Sequence, residues 1–199
     1  MVTIIRYLTH PQVLIDPAKD VPRWSLNDVG RARVAALVKS NALQGTTCII
    51  SSAETKAIET AEPLAISLGC DMEVRAGMHE NDRSATGFLP PQEFEEVADR
   101  FFANPHESIR GWETAIDAQK RIMREIDECL RVHSEGDILI VGHGGVGTLL
   151  YCALSDVPIS RRYDQGPGGG GCHFAFARNK REPLSGWKPM ESMSDCPRG

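Results

Sequence analysis

Asp137-Ile138-Leu139-Ile140-Val141-Gly142-His143-Gly144-Gly145 is the stretch that decides the fold. An unbroken aliphatic run closed by glycines predicts a buried strand that turns sharply into a helix. A second such run, Val2-Thr3-Ile4-Ile5-Arg6-Tyr7-Leu8, leads into Thr9-His10-Pro11. Each strand thus ends on a histidine. Ligands of open α/β sheets bind at the carboxyl ends of the strands, so both imidazoles are expected to face one crevice.

Working outward, strands and helices alternate. After strand 2–8 comes a helix from about Asn27 to Ser40, with Ser25 or Asn27 available as N-cap. Thr47-Cys48-Ile49-Ile50 predicts a second strand ending at Ser51-Ser52. The following helix carries Ala57, Ala61, Leu64, Ala65 and Leu68 on one face, with Gly69 as its C-terminal cap. Met72-Glu73-Val74-Arg75 is a short third strand. Residues 76–113 are irregular around one helical piece (Phe94, Val97, Phe101, Phe102) and read as an insertion over the active face. Helix 114–133 buries Ile116, Ile122 or Met123, Ile126, and Cys129 or Leu130, and helix 145–154 follows the 138–142 strand. Gly166-Pro167-Gly168-Gly169-Gly170-Gly171 leads into a last strand, Cys172 to Ala177. The expected fold class is α/β, a mainly parallel central sheet with helices on both faces in one domain. That domain is expected over residues 1–189, with 190–199 a loosely ordered tail.

The bulk numbers fit this. The chain has 199 residues, 41% apolar and 25% charged, enough for one buried core. With 22 Lys and Arg against 27 Asp and Glu, the net charge is −5, and no basic block suggests a nucleic-acid partner. No apolar run approaches the roughly 18 residues of a membrane span. The start of the sequence lacks the pattern of a secretory leader. Cys48, Cys70, Cys129, Cys152, Cys172 and Cys196 are scattered without a C-x-x-C pair, which suits small core residues in a reducing, cytoplasmic setting, not a metal cluster.

Four segments, in order, resemble signatures of the histidine phosphatase superfamily, which includes the cofactor-dependent phosphoglycerate mutases. Thr9-His10-Pro11 is similar to its R-H-G. Ser52-Ala53-Glu54-Thr55-Lys56-Ala57-Ile58-Glu59-Thr60-Ala61 is similar to S-x-x-x-R-A-x-x-T-A. Met78-His79-Glu80 matches an L-x-E in the insertion, and Val141-Gly142-His143-Gly144-Gly145 matches V-x-H-G-G. Arg23-Trp24-Ser25-Leu26-Asn27-Asp28-Val29-Gly30 resembles the R-P-L-T-x-x-G of the shorter phosphatase members. The resemblance spans residues 2–177 and implies a phosphoglycerate mutase-like fold. Two departures stand out: Thr9 and Lys56 replace the two arginines that hold phosphoryl oxygens in that family.

The resemblance implies a metal-independent, cofactor-free phosphate monoester hydrolase. His10 would attack phosphorus and become phosphohistidine. His143 would stabilise the phosphoryl group. Glu80, with a pKa raised in an apolar or anion-filled pocket, would be the general acid, and Asp82 could serve instead. Thr9, Lys56, Arg23 and Gly144 are the expected phosphate-binding set, with Arg23 and Arg83 as replacements for the missing arginines. An arginine restored at position 9 is expected to strengthen phosphate binding. The short insertion favours phosphatase over mutase, since it leaves less lid to exclude water. The partner is a small phosphorylated substrate or a phosphoprotein; sugar phosphates, nucleotides and phosphohistidine proteins all remain open.

The second function class is a catalytically weak phospho-ligand-binding or partner-binding protein on the same fold. A third reading is poorer. Gly142-His143-Gly144-Gly145-Val146-Gly147 satisfies the dinucleotide pattern G-x-G-x-x-G, with Asp164 near the distance of a ribose contact. The segment around Asp164 is too polar for the second strand that pattern needs.

Overall fold

Strand β1 (Ile4–Thr9) lies inside a six-stranded sheet with β2 (Thr46–Ser52), β3 (Asp71–Arg75), β4 (Asp137–Gly142), β5 (Cys172–Ala177) and β6 (Lys188–Pro189), in the order β3-β2-β4-β1-β5-β6. The computed structural model describes residues 3–193. Strands β1 to β4 pair in parallel, while β5 and β6 run antiparallel. The expected mainly parallel sheet is present.

Helices cover both faces because the strands are apolar on both. Residues Ile5, Tyr7, Ile50, Ile138 and Ile140 join one apolar cluster with α3 (Pro91–Ala103), α4 (Ala115–Val132) and α5 (Gly144–Leu154). Their alternates Leu8, Ile49, Leu139 and Val141 pack on α1 (Asp28–Lys39) and α2 (Thr55–Leu68). This is the period of two expected of a strand buried on both sides. The helix boundaries follow local chemistry. Asn27 caps α1 by accepting the N–H of Gly30 at 2.9 Å, and Gly69 ends α2 at φ 62°. Met78, Leu89, Phe101, Phe102 and Trp112, from the irregular 76–113 stretch, join the same cluster as β1 and β4. Arg6 is buried in β1 and paired with Asp137 at 3.2 Å.

One expectation fails. The chain after residue 189 does not simply loosen: Met190–Ser192 form a 3-10 turn, and Met190 and Met193 are buried in the α1/α2 cluster. Two methionines three residues apart anchor this turn. The remainder of the expected tail, 194–199, lies outside the described residues.

Register sets the site. Thr9 pairs with Gly142, so His10 and His143 each stand one residue beyond the same rung. The His10 N–H donates to the Gly142 carbonyl at 3.0 Å, holding the two strand ends together.

Candidate active site

The His10 and His143 rings meet edge-on, with centroids 5.3 Å apart and planes at 68°. His10 Nδ1 lies 2.9 Å from the Pro11 carbonyl. A carbonyl only accepts, so Nδ1 carries the proton and Nε2 keeps its lone pair. Burial and the neighbouring His143 hold the His10 pKa down to about 3, so the ring is neutral. His143 is fully buried. Its Nε2 lies 2.8 Å from Ser52 Oγ, while its Nδ1 has no partner among the described residues. Burial lowers its pKa too, against the pull of Glu54 and Glu80.

The backbone of His143 is fixed by Tyr7. The phenol accepts the His143 N–H at 3.1 Å and donates to its carbonyl at 3.0 Å. This also accounts for two glycines of the G-x-G-x-x-G pattern. A Cβ at Gly142 would strike the Tyr7 hydroxyl, and one at Gly147 would lie 2.6 Å from the Tyr7 ring. These glycines make room for the buried Tyr7 side chain.

Glu80 comes to this centre by another route. Its carboxylate accepts the N–H groups of Gly145 at 3.0 Å and Val146 at 2.8 Å, at the N-terminus of α5. Arg121 clamps the preceding loop by donating to the carbonyls of Gly77 and His79. The expected raised pKa is not found. Burial alone would raise it, but His143, Arg83 and the two backbone N–H groups together lower it, so the resting carboxyl is ionised.

The expected phosphate-binding set divides. Lys56 is buried, yet its ammonium is already engaged by the Glu54 carboxylate and the Val21 carbonyl. Thr9 is fully buried and its hydroxyl is engaged internally: it donates to Gln165 Oε1 at 2.6 Å and accepts the Cys172 N–H at 3.0 Å. Arg23 is a correction. Its side chain is 78% exposed and its carboxylate neighbour is Asp20, because its 3-10 turn faces outward. Gly144 lies against Gln165, whose side-chain amide a Cβ at that position would displace. Arg83 does reach the region. Its guanidinium lies over Phe94 and Trp112, 5.0 and 5.6 Å from their centroids.

A cavity of about 680 Å³ opens beside Glu54 and Glu80, lined also by Asn81, Arg83, Phe88 and the 17–22 loop among others; His10 and His143 themselves do not line it. Sequence reasoning missed three residues here: Tyr7, Gln165 and Glu54. Glu54 was visible inside the second motif, as an acid two residues before the lysine. Among the described residues no group of three or more His, Cys, Asp or Glu side chains is arranged to hold a metal ion.

Comparison with known proteins agrees with this geometry. The family model described as histidine phosphatase superfamily (branch 1) matches residues 12–176. No curated protein matches the chain. Among solved structures, a mycobacterial glucosyl-3-phosphoglycerate phosphatase superposes with TM-score 0.72 at 16% identity, covering 94% of this chain and 97% of its own. YhfR of Bacillus stearothermophilus gives TM-score 0.74 at 21% identity, over 87% and 90% of the two chains. A putative alpha-ribazole-5'-P phosphatase from Escherichia coli gives 0.74 at 15% identity, over 96% and 99%. At these identities the likeness is one of fold.

Proposed function

This chain belongs to the histidine phosphatase superfamily, and on that premise we propose that it hydrolyses phosphate monoesters through a phosphohistidine on His10. The observation that carries the reading is the His10–His143 pair, one ring donating its Nδ1–H to a carbonyl and the other with a buried nitrogen that has no partner among the described residues.

His10 Nε2 attacks phosphorus as the ester P–O bond breaks, and the leaving oxygen takes a proton from Glu80. Water then attacks the phosphohistidine, returns a proton to Glu80, and inorganic phosphate leaves as the P–N bond breaks. Glu80 begins ionised, held by two N–H groups. A phosphoryl group arriving beside it repels that charge and favours protonation, so Glu80 becomes an acid when substrate is bound. Donation from the Ser52 hydroxyl to His143 Nε2 leaves Nδ1–H free for a phosphoryl oxygen. Hydrolysis is preferred to mutase chemistry because the 76–113 insertion is short.

The test is turnover of p-nitrophenyl phosphate without added metal, abolished in His10→Ala. A second reading, a weak phospho-ligand binder, is favoured by one observation: Thr9 and Lys56 are both engaged internally. Phosphate binding without turnover across a broad panel of esters would select it.

A further inference from the structure

The mechanism above gives no part to Glu54, although this carboxylate sits at its centre. Glu54 is 7% exposed at the start of α2, and its side chain does not cap that helix. Instead Oε2 accepts from the Lys56 ammonium, and Oε1 accepts the Glu80 N–H at 2.9 Å. Oε1 also lies 3.6 Å from His143 Nε2. Two donors of the pocket thus converge on one internal anion, with the His143 ring beside it. We propose that Glu54 is a resident anion of the phosphoryl pocket, which biases the site toward phosphoryl groups of single negative charge over dianions. The inference rests on the phosphatase reading for where the phosphoryl group goes.

The local charges support it. Lys56, from the first turn of α2, is the cation that faces Glu54, and Glu80 and His143 face it from the other two sides. Both histidines are neutral, so one ammonium stands against two carboxylates, with Arg83 as a further cation at the cavity wall. Burial alone would raise the Glu54 pKa, but His143, Lys56 and the Glu80 N–H outweigh it and hold it at about 2. The carboxylate is therefore charged at every working pH. An entering dianion meets both carboxylates at short range in a poorly screened pocket, and it must also compete for the Lys56 ammonium. A monoanion meets half that repulsion.

Two measurements test this on the full-length protein. The first is inorganic phosphate affinity by calorimetry at about pH 8; the second is kcat/KM for p-nitrophenyl phosphate from about pH 5 to pH 8, a range in which such an ester gains its second charge. Glu54→Gln is expected to bind phosphate about tenfold tighter at the upper pH. Its kcat/KM advantage over wild type should shrink toward the lower pH. Glu54→Ser removes the anion while supplying a helix-capping hydroxyl, and is expected to behave alike if the amide variant folds poorly. Equal or weaker phosphate binding in both variants overturns the inference and leaves Glu54 as a residue that positions Lys56. His10-dependent turnover with that result leaves the phosphatase reading standing. Tighter phosphate binding without turnover in any variant does the reverse, and no phosphate binding at all removes both.

Discussion

Tyr7 and His143 exchange two hydrogen bonds across neighbouring strand ends, with the phenol accepting the His143 N–H at 3.1 Å and donating to its carbonyl at 3.0 Å. A β1 side chain thereby sets the position of an imidazole at the end of β4. Tyr7→Phe leaves the buried His143 N–H without its acceptor, while the His143 carbonyl keeps the Gly147 N–H at 3.1 Å. The expected cost is about 1–3 kcal/mol in urea unfolding, with kcat falling more than KM rises, because the loosened ring is the one that steadies the phosphoryl group.

Gly145 and Glu80 give a cleaner separation of activity from stability. A Cβ at position 145 would lie 2.7 Å from Glu80 Oε1. Gly145→Ala should keep the fold, since alanine favours helix, yet push the carboxylate from its seat. Thermal unfolding is expected near that of wild type, with activity on phenyl phosphate reduced at least as far as in Glu80→Gln.

Glu80→Gln itself is expected to lower kcat on phenyl phosphate by about 10²-fold or more, with a smaller loss on p-nitrophenyl phosphate, whose leaving group needs little protonation. Equal losses on both esters would show that Glu80 does not deliver the proton.

Acid should destabilise the fold through buried imidazoles. His173 is 8% exposed with neither ring nitrogen partnered among the described residues, and burial, with Lys188 and Arg6 nearby, lowers its pKa to about 4. The unfolded chain takes up this proton near the ordinary 6.5, so the stability is intact above that pH and is lost as pH falls toward 4. The expected loss is roughly 3 kcal/mol, and His173→Leu should flatten the urea midpoint across this window. Glu54 acts in the same direction in a lower window, from 4.5 down to about 2.

Restoring arginine at position 9 now has a different expected outcome. Thr9 is fully buried, and its hydroxyl bridges Gln165 and Cys172. Thr9→Arg must displace these partners and the glycine-rich loop, at a cost of about 1–3 kcal/mol from overpacking. Thr9→Ser should be nearly neutral. Weaker phosphate binding in Thr9→Arg by calorimetry checks the point.

The sheet and its helices were legible because their signals are local. Aliphatic runs at 4–8 and 138–141, the Asn27 cap and the Gly69 terminus each act within a few residues. The histidine pair was legible for a related reason: parallel strands in register bring their ends to one edge. The short β6 strand and the buried Met190 turn were not legible, since their stability comes from contacts with distant strands and helices, not from periodicity.

Sequence alone determined the α/β architecture, the family and the two imidazoles, because hydrophobic period and strand-end position are one-dimensional properties. Tertiary structure alone decided the state of the groups around them. Whether Lys56 is free or held by Glu54, whether Glu80 rests ionised, and whether the Thr9 hydroxyl is free or engaged by Gln165 depend on which side chains far apart in the chain arrive within three or four ångströms. Charge and hydrogen-bonding energies change steeply over that distance, and no spacing along the chain encodes it.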